Sequence, residues 1–111
     1  MELEQTNAGH VVVIKALEKR LDARTALEFK DHMTQVIKAG HRQFVLDISE
    51  VDFIDSSGLG AIVSSLKALA GCGDLVIAGA RDTVMSMFKL TRIDRVFRMF
   101  ATAAEAVVAL S

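Results

Sequence analysis

The residues best suited to chemistry are consecutive: Asp55-Ser56-Ser57-Gly58-Leu59-Gly60, where an apolar run gives way to a helical pattern. A nucleophile elbow needs glycine two residues before its serine. Ile54 and Asp55 hold those positions here, and His10, His32 and His41 are all distant in sequence. Gly58-Leu59-Gly60 is too short for a dinucleotide fingerprint, and the acidic lead-in would repel a pyrophosphate. Covalent modification fits better. The first turn of a helix offers free N–H groups and a partial positive charge, so a phosphate on Ser56 or Ser57 is tolerable there. The ordinary alternative is a serine that merely caps the helix. Physical chemistry alone does not choose between the two serines. Gly58 and Gly60 are expected to leave the serines open to the close approach of another protein.

The elements that must position this segment follow from periodicity. His10–Leu17 is a β-branched apolar run, short enough for a buried strand. Asp22 reads as an N-cap to a helix over about 24–39, with Ala26, Phe29, Met33, Val36 and Ile37 on one face and Gly40 as its stop. Phe44–Ile48 is a second strand, which Val51–Ile54 continues or flanks. Leu59, Ile62, Val63, Leu66 and Leu69 recur at helical steps and mark a core-facing helix. Gly71-Cys72-Gly73 ends it. Asp74–Ala78 is a third strand; Val84, Met87, Phe88 and Leu90 suggest a short helix, in which Met85, Met87 and Phe88 read as core packing in preference to an adaptable partner patch. Val96–Phe100 is the expected last strand, and Thr102-Ala-Ala-Glu105 reads as a capping box for a closing helix through Leu110. Alternating strands and helices predict an α/β domain with a mixed, mostly parallel sheet of four to five strands and about four helices, its edge strand free to be antiparallel.

Composition narrows the function. The 111 residues carry 13 Lys+Arg against 14 Asp+Glu, leaving no basic surplus for nucleic acid or anionic lipid. Base-stacking platforms are missing as well, since there is no Trp or Tyr and only 6 Phe. No apolar run approaches the roughly 20 residues of a membrane span, and the start MELEQTNAGH lacks the features of a signal peptide. A lone Cys72 makes no internal disulfide, and the expected compartment is the cytoplasm. The histidines and Cys72 lack the clustering of metal ligands, so no metal site and no cofactor are expected. Residues 1–111 read as a single domain, by default a monomer.

Taken together, the order of elements and the sequence DSSGLG resemble the STAS domains, and within them the bacterial anti-sigma-factor antagonists of the SpoIIAA type. Leu21-Asp22 is similar to the end of the family's Gly-x-Leu-Asp. FVLDISEVDFIDSSGLGAIVSSLK resembles its central strand, phosphorylation loop and second helix, and VMSMFKLTRIDRVFRMFATAAEA its third helix, last strand and closing helix. Lys19 departs from the family glycine, which implies an unaltered fold with a changed rim beside the loop.

The resemblance implies a switch rather than an enzyme. Ser56 is the implied phosphoacceptor of an anti-sigma factor that is also a serine kinase of the histidine-kinase-like ATPase fold. The unphosphorylated form binds that partner and releases its captive regulator; a metal-dependent serine phosphatase resets the cycle. Asp22 and Asp55 are expected to orient the hydroxyl or face the kinase, and Ser57, Gly58 and Leu59 to shape the helix start and docking surface. Two alternatives stand beside this: a scaffold subunit of a stress-sensing assembly or lipid transporter, and, with little support, a small-ligand or nucleotide-binding domain.

Overall fold

The computed structural model describes residues 2–69 and 71–111. Five strands form the main sheet in the order β1 (Leu3–Ala8), β2 (Val11–Ala16), β4 (Gln43–Asp47), β6 (Asp74–Ala78) and β7 (Met99–Phe100). β1 pairs antiparallel with β2, and every other pairing in this sheet is parallel. A second, two-stranded parallel pairing joins β3 (Arg20–Leu21) to β5 (Phe53–Ile54). Among the described residues there are four α-helices: α1 (Ala23–Lys38), α2 (Ser56–Ala68), α3 (Asp82–Leu90) and α4 (Ala103–Leu110).

Strand alternation divides the core into two layers. Val12, Ile14, Phe44, Leu46, Leu75 and Ile77 point to one face, where Phe29 and Met33 of α1, Leu59 and Ile62 of α2 and Val84 and Phe88 of α3 cover them. Val11, Val45, Val76 and Ala78 point to the other and meet Ala106 of α4. Because the three inner strands are covered on both sides, they read as continuous apolar runs instead of alternating ones. His10 ties the α4 face down by donating from Nε2 to the Leu110 carbonyl at 3.0 Å.

Several sequence expectations are corrected. β1 carries no apolar pattern because it is an edge strand whose four central residues are exposed, so nothing in LEQTNA announces it. Val51–Ile54 does not extend the central strand; Val51 is buried in a turn and Phe53–Ile54 cross to β3. The last strand is shorter than Val96–Phe100: a 3-10 turn at Ile93–Arg95 precedes it, and Phe97 enters the core from the following loop. Thr102 accepts from the Glu105 N–H at 3.2 Å, which is one half of the anticipated box. Phe88 is fully buried and Met87 packs against the core as expected, whereas Met85 is half-buried and stands outside the core cluster. Lys19 has no left-handed backbone, and its carbonyl accepts from Asp52 and Phe53 N–H at 2.9 and 3.2 Å. The fold absorbs the departure from glycine.

The turn after α2 is set by backbone crowding. A Cβ at Gly73 would run into the Arg42 carbonyl oxygen, the atom that accepts from Asp74 N–H at 2.9 Å and starts the β4–β6 pairing. Gly73→Ala is expected to destabilise the protein by about 1–3 kcal/mol, the cost typical of overpacking. Urea unfolding monitored by circular dichroism measures this; an unchanged midpoint would mean that the Arg42 turn yields freely.

Candidate functional site

The site is built where two helices begin side by side. β3 and β5 run parallel with Leu21 opposite Ile54, so the residues that follow them, Asp22 and Asp55, come at matching positions. Each caps its helix. Asp22 Oδ1 accepts from Thr25 N–H at 3.3 Å while Asp22 N–H donates to Thr25 Oγ1 at 2.9 Å, a reciprocal capping box at the start of α1. Asp55 Oδ1 accepts from Gly58 N–H at 3.0 Å and starts α2. The two starts are joined directly: Asp55 N–H donates to the Leu21 carbonyl at 3.1 Å.

This arrangement decides what the serines do. A serine was the ordinary candidate for N-cap, but Asp55 holds that position, and Ser56 is the first residue inside the helix. Ser56 and Ser57 are both exposed, and among the described residues no hydrogen bond is made by the Ser56 hydroxyl. Neither Asp22 nor Asp55 therefore orients that hydroxyl in this structure; both carboxylates are committed to backbone N–H groups. The first-turn N–H groups of Ser56 and Ser57 have no intrahelical acceptor.

Gly58 differs from expectation, whereas Leu59 follows its helical spacing into the core. Gly58 is buried: a Cβ there would collide with the Leu21 carbonyl oxygen and lie 2.9 Å from Ile54 Cγ1. Its role is to let α2 start against β3, not to open the surface to a partner. Leu59 is buried in the core, so it shapes the helix start from beneath. Gly60 does match the expectation, with nothing near its missing Cβ and its backbone exposed. Gly60 and Ser57, with Ala26, Leu27, Lys30, Ala61 and Ser64, line a shallow groove of about 220 Å³ between α1 and α2.

Two features escaped sequence reasoning. Thr25 is one of the few buried polar side chains and locks the α1 cap; its spacing of three from Asp22 was the available signal. The Arg20 guanidinium stacks 4.1 Å from the Phe53 ring centre, with Asp22 Oδ2 at 3.8 Å from its Nε. These residues are far apart in sequence and meet only through the β3–β5 pairing, so nothing local marks them. Among the described residues no group of His, Cys, Asp and Glu stands ready to hold a metal ion, and no helix is long and apolar enough to cross a membrane. Cys72 is exposed in the turn after α2.

Fold and site together define the class: residues 3–106 match the STAS domain family, and the chain belongs to it. A Thermotoga maritima protein provisionally named an anti-sigma factor antagonist is 31% identical over 97 residues, 86% of each chain. The anti-sigma-B factor antagonist of Staphylococcus aureus is 33% identical over 72 residues, covering 64% of this chain and 67% of that one. The fold is that of the anti-sigma factor antagonist SpoIIAA in its unphosphorylated form, with a TM-score of 0.81 at 22% identity over 96% of this chain and 93% of that one.

The Thr25 N–H donated to its carboxylate, helped by the Arg24 charge, holds Asp22 below the ordinary carboxylate value of 3.8. A lowered folded value means that the charged cap stabilises the fold above the unfolded pKa and loses that contribution as pH falls through the folded one. Asp22→Asn, which keeps a capping oxygen without the charge, is expected to be less stable than wild type at neutral pH. The gap should close below pH 3.8. Paired urea titrations across that range test this; a gap that persists in acid would assign the loss to something other than the charge.

Proposed function

We propose that this protein is a phosphorylation-controlled anti-sigma-factor antagonist. Unphosphorylated, it binds an anti-sigma factor that is a serine kinase of the histidine-kinase-like ATPase fold, and so releases the captive regulator. Phosphorylation of Ser56 ends that binding, and a metal-dependent serine phosphatase restores it. The chain is the substrate of these reactions and catalyses none of them.

The observation that carries this reading is the freedom of Ser56. Its hydroxyl is exposed at the first position of α2 and is released from capping by Asp55. A kinase can reach it without any secondary structure giving way. Phosphate adds about −1.5 to −2 charges on a rim that already holds Asp22 and Asp55. The free N–H groups of the helix start offset part of that charge, which favours a fold that survives modification. A fitted partner surface has no such compensation, and each 1.4 kcal/mol of lost complementarity costs about tenfold in affinity. Charge and bulk are then sufficient for a switch without refolding. Ser57 lines the α1–α2 groove beside Lys30 and acts as a docking residue.

Ser56→Ala and Ser56→Asp proteins used as paired baits test the proposal. A histidine-kinase-like ATPase should follow the Ala bait and not the Asp bait, while far-UV circular dichroism stays native for both. With that ATPase and ATP, phosphate should appear on wild type and on Ser57→Ala but not on Ser56→Ala. Equal recovery of the same partners by both baits would remove Ser56 as the switch and favour a scaffold subunit.

A further inference from the structure

Charge is unevenly distributed along this nearly neutral chain. Residues 81–98 hold five Lys or Arg and two Asp, +3 of formal charge in a chain of −1, so the remainder carries −4. Within that segment the end of α3 and the 3-10 turn bring Lys89, Arg92 and Arg95 together through consecutive backbone hydrogen bonds, Arg92 N–H to the Lys89 carbonyl at 3.1 Å and Arg95 N–H to the Arg92 carbonyl at 3.2 Å. Among the described residues none of the three has a carboxylate within ion-pair distance, whereas nearby Arg98 is neutralised by Asp74 at 2.9 Å. Asp94, half-buried, is the acidic residue of the same turn.

Two further observations show that this corner is more than a solvated charge run. Leu90 and Val96 alternate with these cations along the chain and keep 79% and 56% of their surface exposed, although Phe88 and Phe97, close to them in sequence, are buried. Arg92 also has a left-handed backbone, φ 60 and ψ 18, and is the one non-glycine residue with positive φ among those described. It directly follows the α3 C-cap Thr91, where glycine reaches this conformation without cost and a residue with a Cβ does not. Strain held at an exposed position points to a use for the side chain that occupies it.

We propose that Lys89, Leu90, Arg92, Arg95 and Val96 form a second docking surface, which takes an acidic segment of a partner protein bearing an apolar anchor. The cations would steer and orient the segment, and Leu90 and Val96 would bury its anchor. An anionic membrane fits less well, because an extended negative sheet would also meet the −4 remainder of the chain. The surface is separate from Ser56. α3 starts at the phosphoacceptor end, where Thr83 Oγ1 donates to the Asp52 carbonyl at 3.1 Å. Its nine residues then carry the chain roughly 13 Å toward the opposite end of the sheet.

The test is an amide-resolved NMR titration of the whole protein with a short synthetic amphipathic helix of glutamate and leucine. Shifts should concentrate at 89–97, weaken with added salt, and be the same for wild type and Ser56→Asp. Arg92→Gly should bind at least tenfold more weakly while melting no lower than wild type, since glycine relieves the backbone; Arg95→Glu should weaken binding similarly. A peptide with lysine in place of glutamate should not bind. The proposal is overturned by no binding, by shifts centred elsewhere, by equal binding of the lysine peptide, or by unweakened binding of Arg92→Gly. Binding to phosphatidylglycerol vesicles, or self-association abolished by Arg92→Gly, without peptide binding would equally overturn it, giving the surface to a membrane or to a second copy.

Discussion

The carbonyl group of Leu21 is the constraint around which the site is organised. It accepts the Asp55 N–H at 3.1 Å, and it lies so close to Gly58 that only a hydrogen fits there. Those two relations fix where α2 starts relative to β3, and through Asp22 relative to α1. The two-residue strands β3 and β5 are too short to be stable alone; they persist because Leu21 and Ile54 are buried in the main core. A small pairing held by a large core can therefore set two helix termini at a defined separation.

Capping chemistry then divides labour among neighbouring residues. Asp22 and Asp55 spend their carboxylates on backbone N–H groups. Had Ser56 been the cap, its hydroxyl would have been engaged with the backbone, and phosphorylating it would have removed the cap from α2. With aspartate in that position, the Ser56 hydroxyl sits one residue further on and caps nothing. The same substitution places negative charge next to the modifiable oxygen. Under the proposed function, a phosphate there would meet repulsion from the rim and attraction from the helix start, so its effect would fall on an incoming surface more than on the fold.

Fold and function are also separated along α3. Its first turn is anchored to the loops at the Ser56 end by Thr83 and by Arg81, whose Nε donates to the Ser49 carbonyl at 2.8 Å. Its apolar side, Val84 and Phe88, is sealed into the core. The far end carries the cationic corner. A rigid strut of this kind lets two surfaces coexist on a small domain without competing for the same residues.

The inner strands, the helical faces and the acidic-serine segment were legible in the residues alone. Each of these rests on a local periodicity or a local residue preference that burial reinforces: Val12, Ile14 and Ala16, then Phe44, Val45, Leu46 and Ile48, and Leu59 with Ile62 are buried much as their spacing required. The polar edge strand β1 and the displaced last strand were not legible, because an exposed edge needs no apolar pattern and Phe97 fills the core from a loop. Nor could the chain alone say which residue caps α2, since aspartate and serine are both good caps and stand side by side. Long-range strand pairing settles the choice. Asp55 is drawn to Leu21 by the β3–β5 pairing, and that contact over more than thirty residues of sequence leaves Ser56 free at the surface. Arg20 on Phe53 and the crowding at Gly58 have the same origin: they are consequences of strand register, which no local window of sequence contains.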